Sequence, residues 1–364
     1  MRSLIIKSLI IGLSVTGAIV GVGFASGREV VSFFAKYGKW SFLLCFLTGV
    51  CFVLISYILF IMFDEEEFRK NRHINKNRKN DNNSLNNSET VRFLYNKNCK
   101  IDFFRIVLFL CELIICSAMF AGIDSLFLSF GISGILLNII KIIVLLFSIV
   151  YLVFFKKSVH VVNSALSLFM LLMCVFILII CLCNKNFDVY SKSYINTKMF
   201  INPFLFVGMN ILTAYPLMGD LNNSLQNKKE KLFSSLFIGL LVFVCLSLVC
   251  MLTFYFGGSL FESDMIMVEL ANKIHVVVGT IYSLLVVLGL LTTLISVGFG
   301  LSDFLTNFIN EKVSIIFSLI CAYGLSFFGF VFIIDFLYPA IGFLCLIFIV
   351  VKYFKFLAKN AKMQ

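Results

Sequence analysis

The chain has 364 residues, of which 60% are hydrophobic and 13% charged, and it carries a net charge of +11. Soluble domains hold about 25% charged residues, so this composition excludes an ordinary soluble globular protein. The positive balance does not call for nucleic acid, because Lys and Arg collect in the cytoplasmic loops of membrane proteins.

Apolar runs of roughly 20 residues predict an all-α polytopic membrane protein with about ten spans. The runs are continuous rather than alternating, which argues against a β-barrel. The first run, Leu4 to Val22, is too long for the apolar core of a cleavable signal peptide, and no small-residue cleavage site precedes a soluble domain.

Span 1 covers about residues 4–36 and is interrupted by Gly17, Gly21, Gly23 and Gly27. Each glycine weakens a helix by roughly 1 kcal/mol relative to alanine. A broken backbone in lipid survives only where protein covers it or where it lines a cavity. Arg28 and Glu29 follow directly, two charges that are costly at membrane depth unless paired or used.

Span 2 lies at about 41–63, followed by a polar segment at 64–101, rich in Asn and Lys, that reads as a flexible cytoplasmic loop. Spans 3, 4 and 5 lie at about 102–129, 132–155 and 159–183. After a short polar loop, span 6 at about 200–221 carries Gly208, Asn210, Pro216 and Gly219. Span 7 lies at about 232–256, and residues 262–273 read as a short re-entrant or surface helix. Spans 8, 9 and 10 lie at about 275–307, 312–332 and 334–356, before a short tail at 357–364.

Alternating spans from a cytoplasmic N-terminus put Arg69, Lys70, Arg72, Lys76, Arg78, Lys79, Arg92, Lys97, Lys100, Lys156, Lys157, Lys228, Lys229, Lys231 and the tail lysines inside. The outer segments keep Lys36, Lys39, Lys185, Lys192, Lys198 and Lys273. This asymmetry orients both termini to the cytoplasm of a plasma membrane. Spans 1–5 (residues 1–183) and 6–10 (residues 200–356) each form half of the chain. Five is odd, so the halves enter from opposite sides as inverted repeats. Their first members, spans 1 and 6, are the ones with helix breakers, the pattern of an inverted-repeat transporter.

The run Gly21-Val-Gly-Phe-Ala-Ser-Gly27 with Glu29, Phe33, Phe34, Tyr37 and Gly38 resembles the YkvI-type bacterial membrane proteins. These look like members of the amino acid–polyamine–organocation superfamily. The resemblance implies a LeuT-type 5+5 inverted repeat with broken helices 1 and 6. It also implies cation-coupled movement of a small solute across the bacterial cell membrane. Arg28 departs from the pattern, which expects a neutral residue there.

The candidate solute site comprises Gly21, Gly23, Phe24, Ser26 and Gly27 of span 1 with Gly208, Asn210 and Thr213 of span 6. Half-helix ends offer N–H groups to an anionic group and C=O groups to a cation. Asn210 both donates and accepts, which suits a zwitterion. The plainer readings are small-residue packing in span 1 and a Pro-kinked helix with a satisfied Asn in span 6.

Arg28 and Glu29 read either as a gate or as interfacial charges. Glu112, an intramembrane carboxyl in span 3, reads as a coupling group or as a partner of Arg28 or Arg105. Asp124 and Asp335, near span ends, read as interfacial, and Lys141 snorkels or pairs. Thr292, Thr293 and Ser296 of span 8 offer hydroxyls. In the superfamily such hydroxyls help ligate sodium with carbonyls corresponding to Val20 to Gly23, and hard cations prefer oxygen ligands. The alternative is bonding back to their own helix.

The twelve cysteines form no disulfide framework and no CxxC metal pair. No HExxH, GxSxG or GxxxxGKS motif is present, so the expectation is not an enzyme but a secondary active transporter of an amino acid or related compound, driven by sodium or protons. The alternative is a solute-sensing or channel-like permease component that does not concentrate its ligand. The expected partners are the lipid bilayer and a small solute, with no nucleic acid and no resident cofactor beyond a candidate sodium ion.

Overall fold

The structure, a computed structural model, describes residues 2–78, 103–154, 160–183, 195–256, 258–306 and 309–361. No strand occurs among the described residues. Seven helices are long and apolar enough to cross a membrane, eight if one bent pair counts as a span. Two shorter apolar helices, Leu4–Ile19 and Leu168–Cys183, stand where the sequence puts spans 1 and 5. The protein is an all-α polytopic membrane protein.

The first half runs α1 (Arg2–Ile19), α2 (Val22–Ala25), α3 (Arg28–Phe33), a tight turn of helix at Ala35–Trp40, α4 (Ser41–Arg78), α5 (Phe103–Ser129), α6 (Ile135–Phe154) and α7 (His160–Cys183). The second half runs α8 (Lys198–Asn222), α9 (Lys228–Tyr255), the short α10 (Ile266–Ile274), α11 (Val276–Leu305), α12 (Glu311–Leu325) and α13 (Tyr338–Ala361). A π-helical turn at Ile333–Leu337 leads into α13.

Span 1 is broken twice. The Val20 N–H still reaches Thr16 O at 2.7 Å, but Gly21 N–H turns back to Ile19 O at 2.8 Å and ends α1. The second break is at Gly27, whose φ of +81° is left-handed and so favours glycine. A side chain at Gly27 would also press on Met267 and Thr253, at 2.9 and 3.2 Å from its first carbon.

Span 6, expected to be broken, is interrupted by a bend: it turns by 41° at a break between Lys198–Ile211 and Thr213–Asn222 and is helical on both sides. Proline has no N–H, so Pro216 cannot bond the carbonyl four residues back, at position 212, where the bend falls.

The loop expected from 64 also differs. Helix α4 continues through Arg78, because Asp64-Glu-Glu-Glu and the following Arg and Lys residues continue it with good helix formers. Residues 79–101 and the loop at 184–194 lie outside the described residues.

Helix α5 is the central element, with 72% of its span buried inside the protein against 17% of α6. It packs on α11, α12 and α13. Helix α6 instead exposes Ile135, Ile143, Leu146 and Phe154 on a face suited to lipid. Elsewhere α1 packs on α7, α8 and α9; α4 packs on α8 and α9; α8 packs on α13; and α11 packs on α6, α7 and α12.

Glycines set the closest crossings. Gly49 of α4 and Gly239 of α9 each lie against the other's carbonyl, and Gly208 of α8 lies against Gly342 of α13. Small residues let membrane helices approach and gain van der Waals contact. Gly239→Val should push α4 from α9 and lower stability by about 1–3 kcal/mol, read as a lower melting temperature of the detergent-solubilised protein.

Candidate functional site

The interrupted segment is held by hydrogen bonds that replace the lost helical ones. Ser26, fully buried, donates its hydroxyl proton to Gly23 O at 2.8 Å and accepts from the Arg28 N–H at 3.2 Å. The Tyr282 hydroxyl of α11 donates to Ala25 O at 2.6 Å. The Met267 N–H of α10 donates to Ser26 O at 3.0 Å. These contacts satisfy carbonyls that a bilayer would otherwise leave unpaired. Phe24 is buried beside them at 3% exposure.

Beside this segment is room. Gly21 is only half-buried, and a methyl group built there would meet nothing within 4 Å. Gly23 is the opposite: a side chain there would run into the Glu29 carboxyl. Glu29 therefore folds back from α3 onto α2. It is 6% exposed, and among the described residues its carboxyl makes no hydrogen bond and no ion pair.

Arg28 turns the other way. Its guanidinium donates to Asp335 at 2.5 Å and to Phe261 O at 2.8 Å. Asp335 is thus the partner of Arg28. The π-helical turn carries it against Arg28, and their side chains are 27% and 10% exposed. Arg28, the residue the sequence explained least, joins span 1 to span 10 and to the segment before α10. A second tie on this side runs from Ser125 of α5 to Asp264, at 2.5 Å. Lys141 pairs with Asp124, and its ammonium lies over Tyr323 and Phe327 at 5.2 and 4.4 Å.

The span 6 candidates are satisfied within their own helix. Asn210 donates to Phe206 O at 3.0 Å, and Thr213 donates to Asn210 O at 2.7 Å. Gly208 sits at the α8–α13 crossing. Two residues of α8 do reach span 1: Asn202 donates to Phe33 O at 3.2 Å and to the Tyr37 hydroxyl at 3.0 Å, and the Phe206 ring packs edge-on against Phe33 and Phe34.

The span 8 hydroxyls divide. Thr292 donates to Gly289 O of its own helix at 3.1 Å. The Thr293 and Ser296 oxygens are buried without a hydrogen-bond partner among the described residues. Two such oxygens, with the span 1 carbonyls, are chemistry that fits a hard cation. The carbonyls of Gly21 and Gly23 already accept from Ala25 N–H and Ser26, and each keeps a second lone pair. No group of three His, Cys, Asp or Glu side chains is placed to hold a metal among the described residues. Glu112, 8% exposed, faces the backbone of Gly300 in α11 rather than Arg28.

Compared with known proteins, the chain matches no family model and no curated protein.

The opposite end of the helices has its own ties. Lys231, 1% exposed, pairs with Asp64 and donates to Phe60 O at 3.3 Å, while Asn222 donates to Asp64 at 3.0 Å. Lys7 pairs with Glu230 at 3.0 Å.

Sequence reading did not single out Tyr282, Met267 or Asn202, and it named Asp335 without its partner. Only Asp335 left a signal, as an acid in an apolar run opposite in sign to Arg28. Arg28→Met should leave Asp335 without its counter-ion and cost about 2–3 kcal/mol, below the range for a fully buried pair because Asp335 is partly exposed. Arg28→Met with Asp335→Leu should recover part of that loss in a thermal melt.

Proposed function

We propose that the protein is a secondary active transporter of a small solute, with a LeuT-type 5+5 inverted repeat and its solute site at the interrupted first helix. The observation that carries this is the double break of span 1, with open space at Gly21 and the buried Glu29 carboxyl folded against Gly23. An inert membrane protein has no use for unwound backbone and a buried carboxyl at one place.

The packing supports the repeat. When spans 1–5 are laid onto spans 6–10, the contact of α1 with α9 becomes that of α8 with α4. The contact of α8 with α13 becomes that of α1 with α7, and the contact of α5 with α12 becomes that of α11 with α6. The pairs α4–α9 and α5–α11 map onto themselves. Each of these contacts is present.

In this reading the Arg28–Asp335 pair and the α10 segment close the outer side over the break. The inner ties from Lys231 and Lys7 link α1, α4, α8 and α9 so that they move as one body. Alternating access is then the rocking of that body against α5 and α11. Coupling is to sodium or protons. Thr293 and Ser296, with the Val20 to Gly23 backbone, would hold sodium, which supplies positive charge when bound and favours the closed packing of α11 on span 1. Arg28, Glu29 and Glu112 are the gating and coupling charges.

Gly21→Leu puts a side chain into the open space, where its first carbon meets nothing within 4 Å. In proteoliposomes with an imposed sodium or proton gradient, wild type should concentrate its solute. Gly21→Leu should lose that uptake at least tenfold while inserting and melting like wild type. Equilibration without concentration would favour the sensing or channel-like permease, and normal uptake by Gly21→Leu would remove the site from the break.

A further inference from the structure

We propose that Lys36 and Lys198 hold the phosphate of an anionic phospholipid at the end of the helices where Arg28 meets Asp335, and that this lipid tightens the Arg28–Asp335 pair. The proposal goes beyond the transport reading and requires only that the protein lies in a bilayer.

Charge at this end is not balanced. Lys36 lies in the turn of helix between α3 and α4, is half-buried, and makes no hydrogen bond and no ion pair among the described residues. Its ammonium lies over the Tyr37 ring at 5.5 Å, a contact that offsets only part of the cost of burying it. The charges that act on it are those of Asp335, Arg28 and Lys198. Lys36 thus meets two cations and one carboxylate, and that carboxylate already accepts from the Arg28 guanidinium at 2.5 Å. Lys141 and Lys231, by contrast, each meet a carboxylate of their own.

Packing brings Lys198 to the same junction. Helix α8 begins at Lys198, and one turn later Asn202 donates to Phe33 O and to the Tyr37 hydroxyl. Farther along, the Phe206 ring packs on Phe33 and Phe34. Exposed apolar side chains follow both lysines: Trp40 and Leu43 on one element, Phe200 and Ile201 on the other. Cations at one level with apolar surface just beyond them complement an amphiphile with an anionic head. The phosphate meets the ammoniums, and the acyl chains cover the side chains that follow. Basic pockets between membrane helices bind such headgroups, and tryptophan favours the membrane–water boundary. A soluble anion would meet the same lysines but has nothing to lay on the apolar surface.

The link to the Arg28–Asp335 pair is Coulombic. Lys36 attracts Asp335 and repels Arg28, so as a bare cation it opposes their pairing. A phosphate on Lys36 cancels both effects and leaves Asp335 to Arg28.

The test uses the purified full-length protein in nanodiscs of phosphatidylcholine with and without phosphatidylglycerol. Both lipids carry a phosphate, and only the second has a net negative charge. Retained lipid is counted by native mass spectrometry, and melting temperature is read in parallel. Phosphatidylglycerol should be retained in preference to phosphatidylcholine and should raise the melting temperature. Lys36→Gln should weaken its binding by about fivefold, the effect of one lysine near an anionic surface, and Lys198→Gln should weaken it too. Lys355→Gln, exposed near the far end of α13, should leave binding unchanged. Arg28→Met with Asp335→Leu should still retain phosphatidylglycerol but gain less melting temperature from it.

Equal retention of the two lipids would overturn the assignment. So would a loss in Lys355→Gln as large as in Lys36→Gln, or the same melting gain from inorganic phosphate added to phosphatidylcholine nanodiscs. An undiminished melting gain in the Arg28→Met, Asp335→Leu variant would overturn the tightening of the pair. The comparison of the two lipids on wild type stands even if Lys36→Gln fails to fold.

Discussion

A bilayer offers no water to a broken helix, so every backbone group freed at the break has to find a partner within the protein. The region around span 1 is organised by that constraint. Ser26 bonds backward to Gly23 and forward to Arg28, Tyr282 reaches in from α11, and Met267 reaches in from α10. The break is therefore a junction, and α10 and α11 are fixed to span 1 by the same bonds that make its unwinding affordable. The glycines serve geometry at two different points: Gly27 turns the chain, and Gly21 leaves space.

The charges follow the same logic. Isolated, each would be costly at this depth, and most are paired across elements that lie far apart in sequence. Arg28 meets Asp335, Lys141 meets Asp124, and Lys231 meets Asp64. Glu29 stands apart from this pattern and lies folded against Gly23.

Much of the architecture was legible from apolar runs and glycines. Span 1 breaks where its glycines cluster, and the short helix before span 8 exists because Ile266, Met267, Leu270 and Ala271 give it a buried face. Span 6 carries its interruption as a bend rather than as an unwound segment. Pro216 bends a helix without unwinding it, Gly208 serves close packing against α13, and Asn210 satisfies itself on Phe206 O. A polar residue in a membrane helix has the carbonyl one turn back always within reach. Sequence cannot tell that option from a ligand contact.

The sequence by itself determined the membrane class, the approximate spans and the place where span 1 must break. These depend on local composition, and each is decided within about one helix length. The tertiary structure decided which charges meet, which hydroxyls are orphaned and which carboxyl stays alone. Those outcomes depend on residues as far apart as Arg28 and Asp335 or Ala25 and Tyr282, brought together only when the helices pack. Arg28 and Glu29 are adjacent and looked like one feature. They became two because α3 turns one side chain outward to Asp335 and folds the other back on Gly23.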